Sequence, residues 1–74
     1  MKIRYYGLIE EKIGKSVDEF QAGSISELMN SLKSEHPFLN DVKYSIFLNQ
    51  ELTRDDAPLS DSDEVVLCPP FAGG

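Results

Sequence analysis

The chain has 74 residues, 41% of them hydrophobic, and a formal net charge of −6 at pH 7. A chain of this length makes one domain, which buries only about 60% of the surface of its unfolded chain. Such a domain has no room for a deep substrate cavity together with a catalytic apparatus. The seven basic residues form no cluster that would neutralise phosphates, so nucleic acid is not an expected partner. Most of the acidic excess is expected to keep the domain soluble, and a basic protein surface is the alternative partner that it would suit.

Alternating and helical periodicities divide the chain into strands and helices. Residues 2–6 alternate with period two, and Ile3 and Tyr5 face the core in that phasing. Gly7 ends this strand, and the next segment fits one or two helical turns closed by Gly14. Further strands are predicted at residues 16–22, 44–49 and 65–68, with a turn at Gln50-Glu51 and a short return strand from Leu52.

The main helix begins at Ser24, since Ser24 and Glu27 have the spacing of a capping box. An apolar stripe at helical spacing follows, formed by Ile25, Leu28, Met29 and Leu32. His36-Pro37 ends the helix, because the residue before a proline disfavours helical backbone. One amphipathic helix across one sheet face predicts a two-layer α+β domain, with the first and last strands as a parallel central pair.

The end of the sequence carries the strongest functional signal. Residues 1–68 are expected to form the folded domain, and residues 69–74 an extended functional tail, because Pro69-Pro70 cannot donate to a strand ladder. Gly73 and Gly74 present an unhindered terminal acyl group, and their backbone can thread a narrow channel in any φ/ψ region. A frayed terminus is the alternative interpretation.

The order of elements with a Gly-Gly end resembles the ubiquitin-like β-grasp fold, a mixed sheet of four to five strands with one main helix on one face. The last third is similar to the small-subunit family of molybdopterin synthase, which are ubiquitin-like sulfur carriers. The matching residues are Leu48-Asn49-Gln50, Leu52, the segment from Pro58 to Val65, and Pro69-Pro70-Phe71-Ala72-Gly73-Gly74. Tyr5-Tyr6-Gly7, Glu11 and Gly14 match the family's opening.

The sequence departs from the family pattern at three positions, Glu10, Ser62 and Cys68. Ser62 replaces a usual turn glycine, and backbone strain is expected there if its φ is positive. Glu10 and Cys68 lie on surfaces that a partner would touch.

The resemblance implies a role for Gly74. An E1-like adenylating enzyme would use ATP to adenylate the Gly74 carboxylate, and a sulfur donor protein would displace AMP to leave a thiocarboxylate. This modification would donate sulfur for the dithiolene of molybdopterin in molybdenum cofactor biosynthesis. The partner holding the pterin would be the large subunit of molybdopterin synthase, in a heterotetramer of two small and two large subunits. The chain would not be catalytic alone, and no bound cofactor or metal is expected.

The outward apolar residues predict a docking surface beside the tail, because the strand phasing brings them together on the open sheet face. The predicted partner interface consists of Tyr6, Phe47, Leu52, Val66, Cys68, Pro69, Pro70, Phe71 and Ala72. Cys68 has a rival interpretation as a reactive thiol, but the sequence places no basic neighbour and no helix start beside it to activate the thiol, so an apolar filler is favoured. His36 suits a helix end, and residues 61–64 suit a turn and strand start.

Three other functions remain open on this evidence. A sulfur carrier of another pathway, such as thiamin biosynthesis, would share the Gly-Gly chemistry. A ubiquitin-like modifier would join target lysines through Gly74, and a plain interaction module would carry the tail incidentally. The single Cys68 leaves no internal disulfide, and there is no secretory segment or membrane-spanning run, so a soluble cytoplasmic chain with no membrane partner is expected.

Overall fold

The computed structural model describes residues 1–69, which form one five-stranded sheet and two α-helices. The strands are β1 Lys2–Tyr5, β2 Val17–Glu19, β3 Ser45–Leu48, β4 Glu51–Thr53 and β5 Glu64–Cys68. The helices are α1 Gly7–Ile13 and α2 Ile25–Glu35, and a 3₁₀ turn follows at Pro37–Asn40. None of the helices in this part of the chain is long and apolar enough to cross a membrane.

The sheet has the strand order β2-β1-β5-β3-β4, with β1 and β5 in parallel at its centre. Ile3 lies opposite Val65, and Tyr5 opposite Leu67. The other three pairings are antiparallel. The predicted parallel central pair and mixed sheet are therefore confirmed.

The core lies between the sheet and α2, and the predicted inward residues form most of it, together with Met1, Ile9 and Leu39. Ile3 and Tyr5 are fully buried, as are Val65 and Leu67 of the neighbouring strand. The stripe on α2 completes this layer with Ile25, Leu28, Met29 and Leu32. Burying one such side chain stabilises the fold by about 1.5–3 kcal/mol, so packing of α2 on the central strands holds the two layers together.

The ends of α2 lie where the sequence predicts, and the serine half of the capping box forms. The Ser24 side chain accepts a hydrogen bond from the Glu27 amide at 3.2 Å. The Ser26 amide donates to Asp56 at 2.8 Å, and this bond lowers the pKa of Asp56. At the other end the His36 amide donates to the Leu32 carbonyl at 2.8 Å before the chain turns.

Three local expectations change. Strand β2 covers only Val17–Glu19, because it pairs with only three residues of β1. The turn after β3 is Asn49-Gln50, with φ of 50° and 73°, rather than Gln50-Glu51. Positive φ at both central residues is typical of a tight two-residue hairpin. Ser62 carries no such strain, since Asn49 and Gln50 are the only non-glycine residues with positive φ within residues 1–69.

Candidate functional site

The end of β5 lies beside the end of β1 and the start of α1, because β1 and β5 run in the same direction. The Tyr6 amide donates to the Leu67 carbonyl at 3.1 Å and extends the pairing past the end of β1. Beyond this point Pro69 packs against Gly7, the first residue of α1. We call Tyr6, Gly7, Cys68 and Pro69 the exit edge.

Next to the exit edge, the sheet face turned away from α2 carries a row of apolar side chains. Val66 lies opposite Phe47, and Phe47 lies opposite Leu52 across β4. On the other side Arg4 separates Val66 from Val17 of β2. Directly opposed residues share one face of a sheet, so these five side chains form one line, which the charged Arg4 interrupts. We call Val66, Phe47 and Leu52, which are direct neighbours, the apolar row.

The structure therefore brings together part of the predicted partner interface. Phe47, Val66 and Leu52 are direct neighbours in the apolar row, and Tyr6 and Cys68 belong to the exit edge. Tyr6 and Leu52 are each 49% exposed, whereas Phe47, Val66, Cys68 and Pro69 are half-buried. The predicted residues Pro70, Phe71, Ala72, Gly73 and Gly74 lie outside the described residues.

Sequence reasoning missed Val17 and Arg4 on this face of the sheet. Val17 is 37% exposed, and the weak pattern of β2 left its register open. Arg4 Nε donates to Glu64 at 2.9 Å, which places an ion pair within the open face. The alternation of β1 puts Arg4 outward, but only the strand order shows that it lies among apolar neighbours.

The opposite end of the central strands is joined by hydrogen bonds. Asn49 Nδ2 donates to Asp63 at 2.9 Å, and Asn49 Oδ1 accepts from the Glu64 amide at 3.0 Å. Asp63 also accepts from the Ser60 amide at 2.8 Å. The bond from Asn49 and then that from Ser60 lower the pKa of Asp63. We call Asn49, Ser60, Asp63 and Glu64 the polar end.

The polar end explains two parts of the family pattern as structural. Asn49 in the β3–β4 turn and Asp63 before β5 both lie in segments that resemble the family, and in this chain they tie the turn to the last strand. The predicted turn and strand-start roles of residues 61–64 are confirmed, since β5 begins at Glu64.

The remaining candidate chemical groups have ordinary surroundings. Cys68 lies opposite Ser45 in the β3–β5 ladder and is half-buried. His36 follows the last residue of α2, and its ring contacts Phe38 edge-on at 6.3 Å between centroids. Within residues 1–69 no group of three His, Cys, Asp or Glu side chains is placed to hold a metal ion.

Comparisons with known proteins agree with this architecture. A model of the ThiS family matches residues 3–74. The chain is 35% identical over 81 residues to the molybdopterin synthase sulfur carrier subunit of Chlamydomonas reinhardtii, covering 100% of this chain and 98% of that protein.

Two solved structures are similar over almost the whole chain. The solution structure of small archaeal modifier protein 1 from Methanosarcina acetivorans has a TM-score of 0.85 at 22% identity, covering 99% of this chain and 94% of the other, which bears on the fold alone. A chain in the complex of subunits 1 and 2 of molybdopterin-converting factor from Helicobacter pylori 26695 has a TM-score of 0.76 at 28% identity, with 99% and 96% covered. The predicted β-grasp fold and the predicted resemblance are both confirmed.

Proposed function

The chain belongs to the ThiS family, and we propose that it is a sulfur carrier acting as the small subunit of a molybdopterin synthase. The observation that carries this proposal is the 35% identity, over the entire chain, to a protein named as a molybdopterin synthase sulfur carrier subunit. The family match reaches Gly74, so it includes the terminal glycine pair as well as the folded domain.

The proposed chemistry takes place at the Gly74 carboxylate. A carboxylate is a poor electrophile, and ATP converts it into an acyl adenylate with release of pyrophosphate. A donor that supplies sulfur at the oxidation level of sulfide then displaces AMP and leaves a thiocarboxylate. After the sulfur attacks the pterin precursor, water cleaves the acyl–sulfur bond and restores the carboxylate. Two carriers that bear the thiocarboxylate are consumed for each dithiolene, because a dithiolene contains two sulfur atoms.

The open face is the proposed docking surface for the large subunit of the synthase. The Helicobacter pylori complex, which joins two subunits of molybdopterin-converting factor, supports a partner of this kind. In this chain the apolar row supplies half-buried Phe47 and Val66 and exposed Leu52 beside the exit edge. A contiguous apolar surface next to a reactive tail suits a protein interface.

The other proposed partners are an E1-like adenylating enzyme, which uses the ATP, and a sulfur donor protein. The assembled synthase is proposed to contain two small and two large subunits and to act in the cytoplasm. No general base is required from this chain, because the carrier supplies a substrate to sites on its partners.

Intact mass spectrometry tests the proposal. The native chain is incubated with a candidate E1-like enzyme, ATP and a sulfur source, and the expected mass gain equals one oxygen replaced by one sulfur. Adding the large subunit and the pterin precursor should return the chain to its original mass as the product forms. An unchanged mass would overturn the carrier proposal. If the chain passes its sulfur only to the product of a different pathway, the assignment to molybdopterin synthase is overturned. Lysine conjugates through Gly74 without sulfur transfer would favour a modifier.

A further inference from the structure

Both the backbone conformation of Gly7 and the close approach of Pro69 disfavour a side chain at this position. Its φ is +58°, in the left-handed region that side chains disfavour. A Cβ at this position would lie 2.9 Å from Cγ and 3.3 Å from Cδ of Pro69. Gly7 is exposed, so packing in the core does not account for the missing side chain.

The contact partner cannot give way independently of the backbone. The proline ring is closed onto its own main chain, so moving Cγ of Pro69 also moves the chain at the end of β5. Carbon atoms pack best at about 3.5–4.0 Å, so a methyl group at Gly7 would displace Pro69 by about 0.6–1 Å.

We propose that Gly7 is a positioning residue for the proposed charging reaction, in which the Gly74 carboxylate becomes a thiocarboxylate. The absence of a side chain at Gly7 lets Pro69 pack closely against it. This contact fixes the position at which the segment after β5 begins. Five residues follow Pro69 in the sequence and end at the Gly74 carboxylate. A displacement at Pro69 shifts the origin of that segment relative to any partner docked on the open face. This inference rests on the proposed function, because it concerns delivery of the reacting group.

Gly14 provides a matched control. It also has a positive φ, +90°, but a Cβ there would have no atom within 4 Å. Gly14→Ala therefore introduces left-handed backbone strain without a clash, and Gly7→Ala introduces both. Pro69→Ala removes the two ring atoms that the new Cβ would meet, so Gly7→Ala combined with Pro69→Ala keeps the strain and relieves the clash.

The kinetic test measures kcat and KM for charging of each variant by the E1-like enzyme with ATP and a sulfur source. Gly7→Ala should lower kcat about tenfold or more with KM nearly unchanged, because a misplacement of about 1 Å can reduce a rate 100-fold. Gly14→Ala should keep the wild-type kcat. Partial unfolding gives the opposite pattern, since a smaller folded fraction raises the apparent KM and leaves kcat unchanged. The double variant should have the kcat of Pro69→Ala rather than that of Gly7→Ala.

Equal kcat values for Gly7→Ala and Gly14→Ala would overturn the inference, as would a double variant no faster than Gly7→Ala. If Gly7→Ala does not fold, Pro69→Ala alone decides: a reduced kcat at unchanged KM supports the inference, and a wild-type kcat overturns it. A second readout is independent of charging. Nuclear Overhauser contacts between the Gly7 Hα and Pro69 ring protons should be present in wild type and Gly14→Ala and lost in Gly7→Ala. A wild-type chain that shows the contact but is never charged refutes the proposed function, whereas a charged chain without the contact refutes the role of Gly7.

Discussion

The two ends of the central β1–β5 pair are built from different kinds of contact. At the polar end, Asn49 donates to Asp63 and accepts from the Glu64 amide, and Asp63 also accepts from the Ser60 amide. These bonds tie the β3–β4 turn and the loop before β5 to the first residue of β5. At the exit edge, Pro69 packs on the bare Cα of Gly7. The polar end stabilises the fold, because hydrogen bonds there join the β3–β4 turn, the loop before β5 and β5 itself. The exit edge joins the end of β5 to the start of α1, and in our proposal its contact between Pro69 and Gly7 positions the reacting segment.

Deleting Gly73-Gly74 should have the largest effect on function and should leave the polar end unchanged. Charging should be abolished, because the proposed reacting carboxylate is lost together with the unhindered glycine pair. The free energy of unfolding should stay near the wild-type value, since the core and the polar end are untouched. Intact mass after charging and urea denaturation measure the two effects. Sulfur loading by the shortened chain would contradict the proposed chemistry.

Leu52→Asp should show that the open face serves binding rather than folding. Leu52 is 49% exposed, so the folded monomer tolerates a charge at this position. In a desolvated interface an unpaired charge costs about 2–5 kcal/mol, which corresponds to roughly 30-fold to several-thousand-fold weaker binding. Titration calorimetry against the candidate large subunit measures the affinity, with circular dichroism as the check on folding.

Asn30→Asp is the matched control for Leu52→Asp, because Asn30 is exposed on α2, on the other side of the sheet. It adds the same charge and should leave the affinity almost unchanged. Equal loss of affinity in both variants would indicate general charge repulsion, and tight binding by Leu52→Asp would place the docking surface elsewhere.

Asn49→Gly should reverse the pattern, with lower stability and unchanged charging. Glycine suits the positive φ of this turn but removes the side-chain bonds to Asp63 and Glu64. Two hydrogen bonds at an exposed site contribute about 1–2 kcal/mol to the free energy of unfolding. Gln50→Gly is the control, because it relieves φ of 73° in the same turn and should not destabilise the chain. A slower charging kcat for folded Asn49→Gly would show that the two ends are coupled.

The sequence predicts the layered fold because its strongest signals are periodic. The alternation of β1 places Ile3 and Tyr5 in the core, and the helical spacing on α2 matches its buried stripe. Register is harder to predict, because it depends on which strands pair across a long chain separation. The turn at Asn49-Gln50 differs from the expected one by one residue, since its positive φ values have no glycine to signal them.

The candidate site divides in the same way. The outward alternation correctly predicts Phe47 and Val66 as members of one face. The sequence pattern predicts Gly7 as the end of a strand but does not show its contact with Pro69. That contact joins two residues 62 positions apart in the chain. A contact of this range follows from the parallel β1–β5 register and from nothing local.

The acid dependence of stability is the smallest expected effect and isolates the polar end. The hydrogen bond from Asn49, followed by that from Ser60, lowers the pKa of Asp63 below its ordinary value of 3.8. A lowered folded-state pKa adds stability that is fully present above the ordinary value and is lost as the pH falls through the folded value. Urea midpoints compared at about pH 5 and about pH 2.5 measure how much of this stability is lost on acidification.

Asp63→Asn should be less stable than wild type at about pH 5 but should lose less stability on acidification, because it has no carboxylate to protonate at that position. Asp56, whose pKa is also lowered, stays in both proteins, so its contribution cancels in the comparison. In an Asn49→Gly background the acid dependence due to Asp63 should shrink, since the main cause of its lowered pKa is gone. Identical acid dependence in wild type and Asp63→Asn would show that the stability of the polar end does not depend on the charge of this carboxylate.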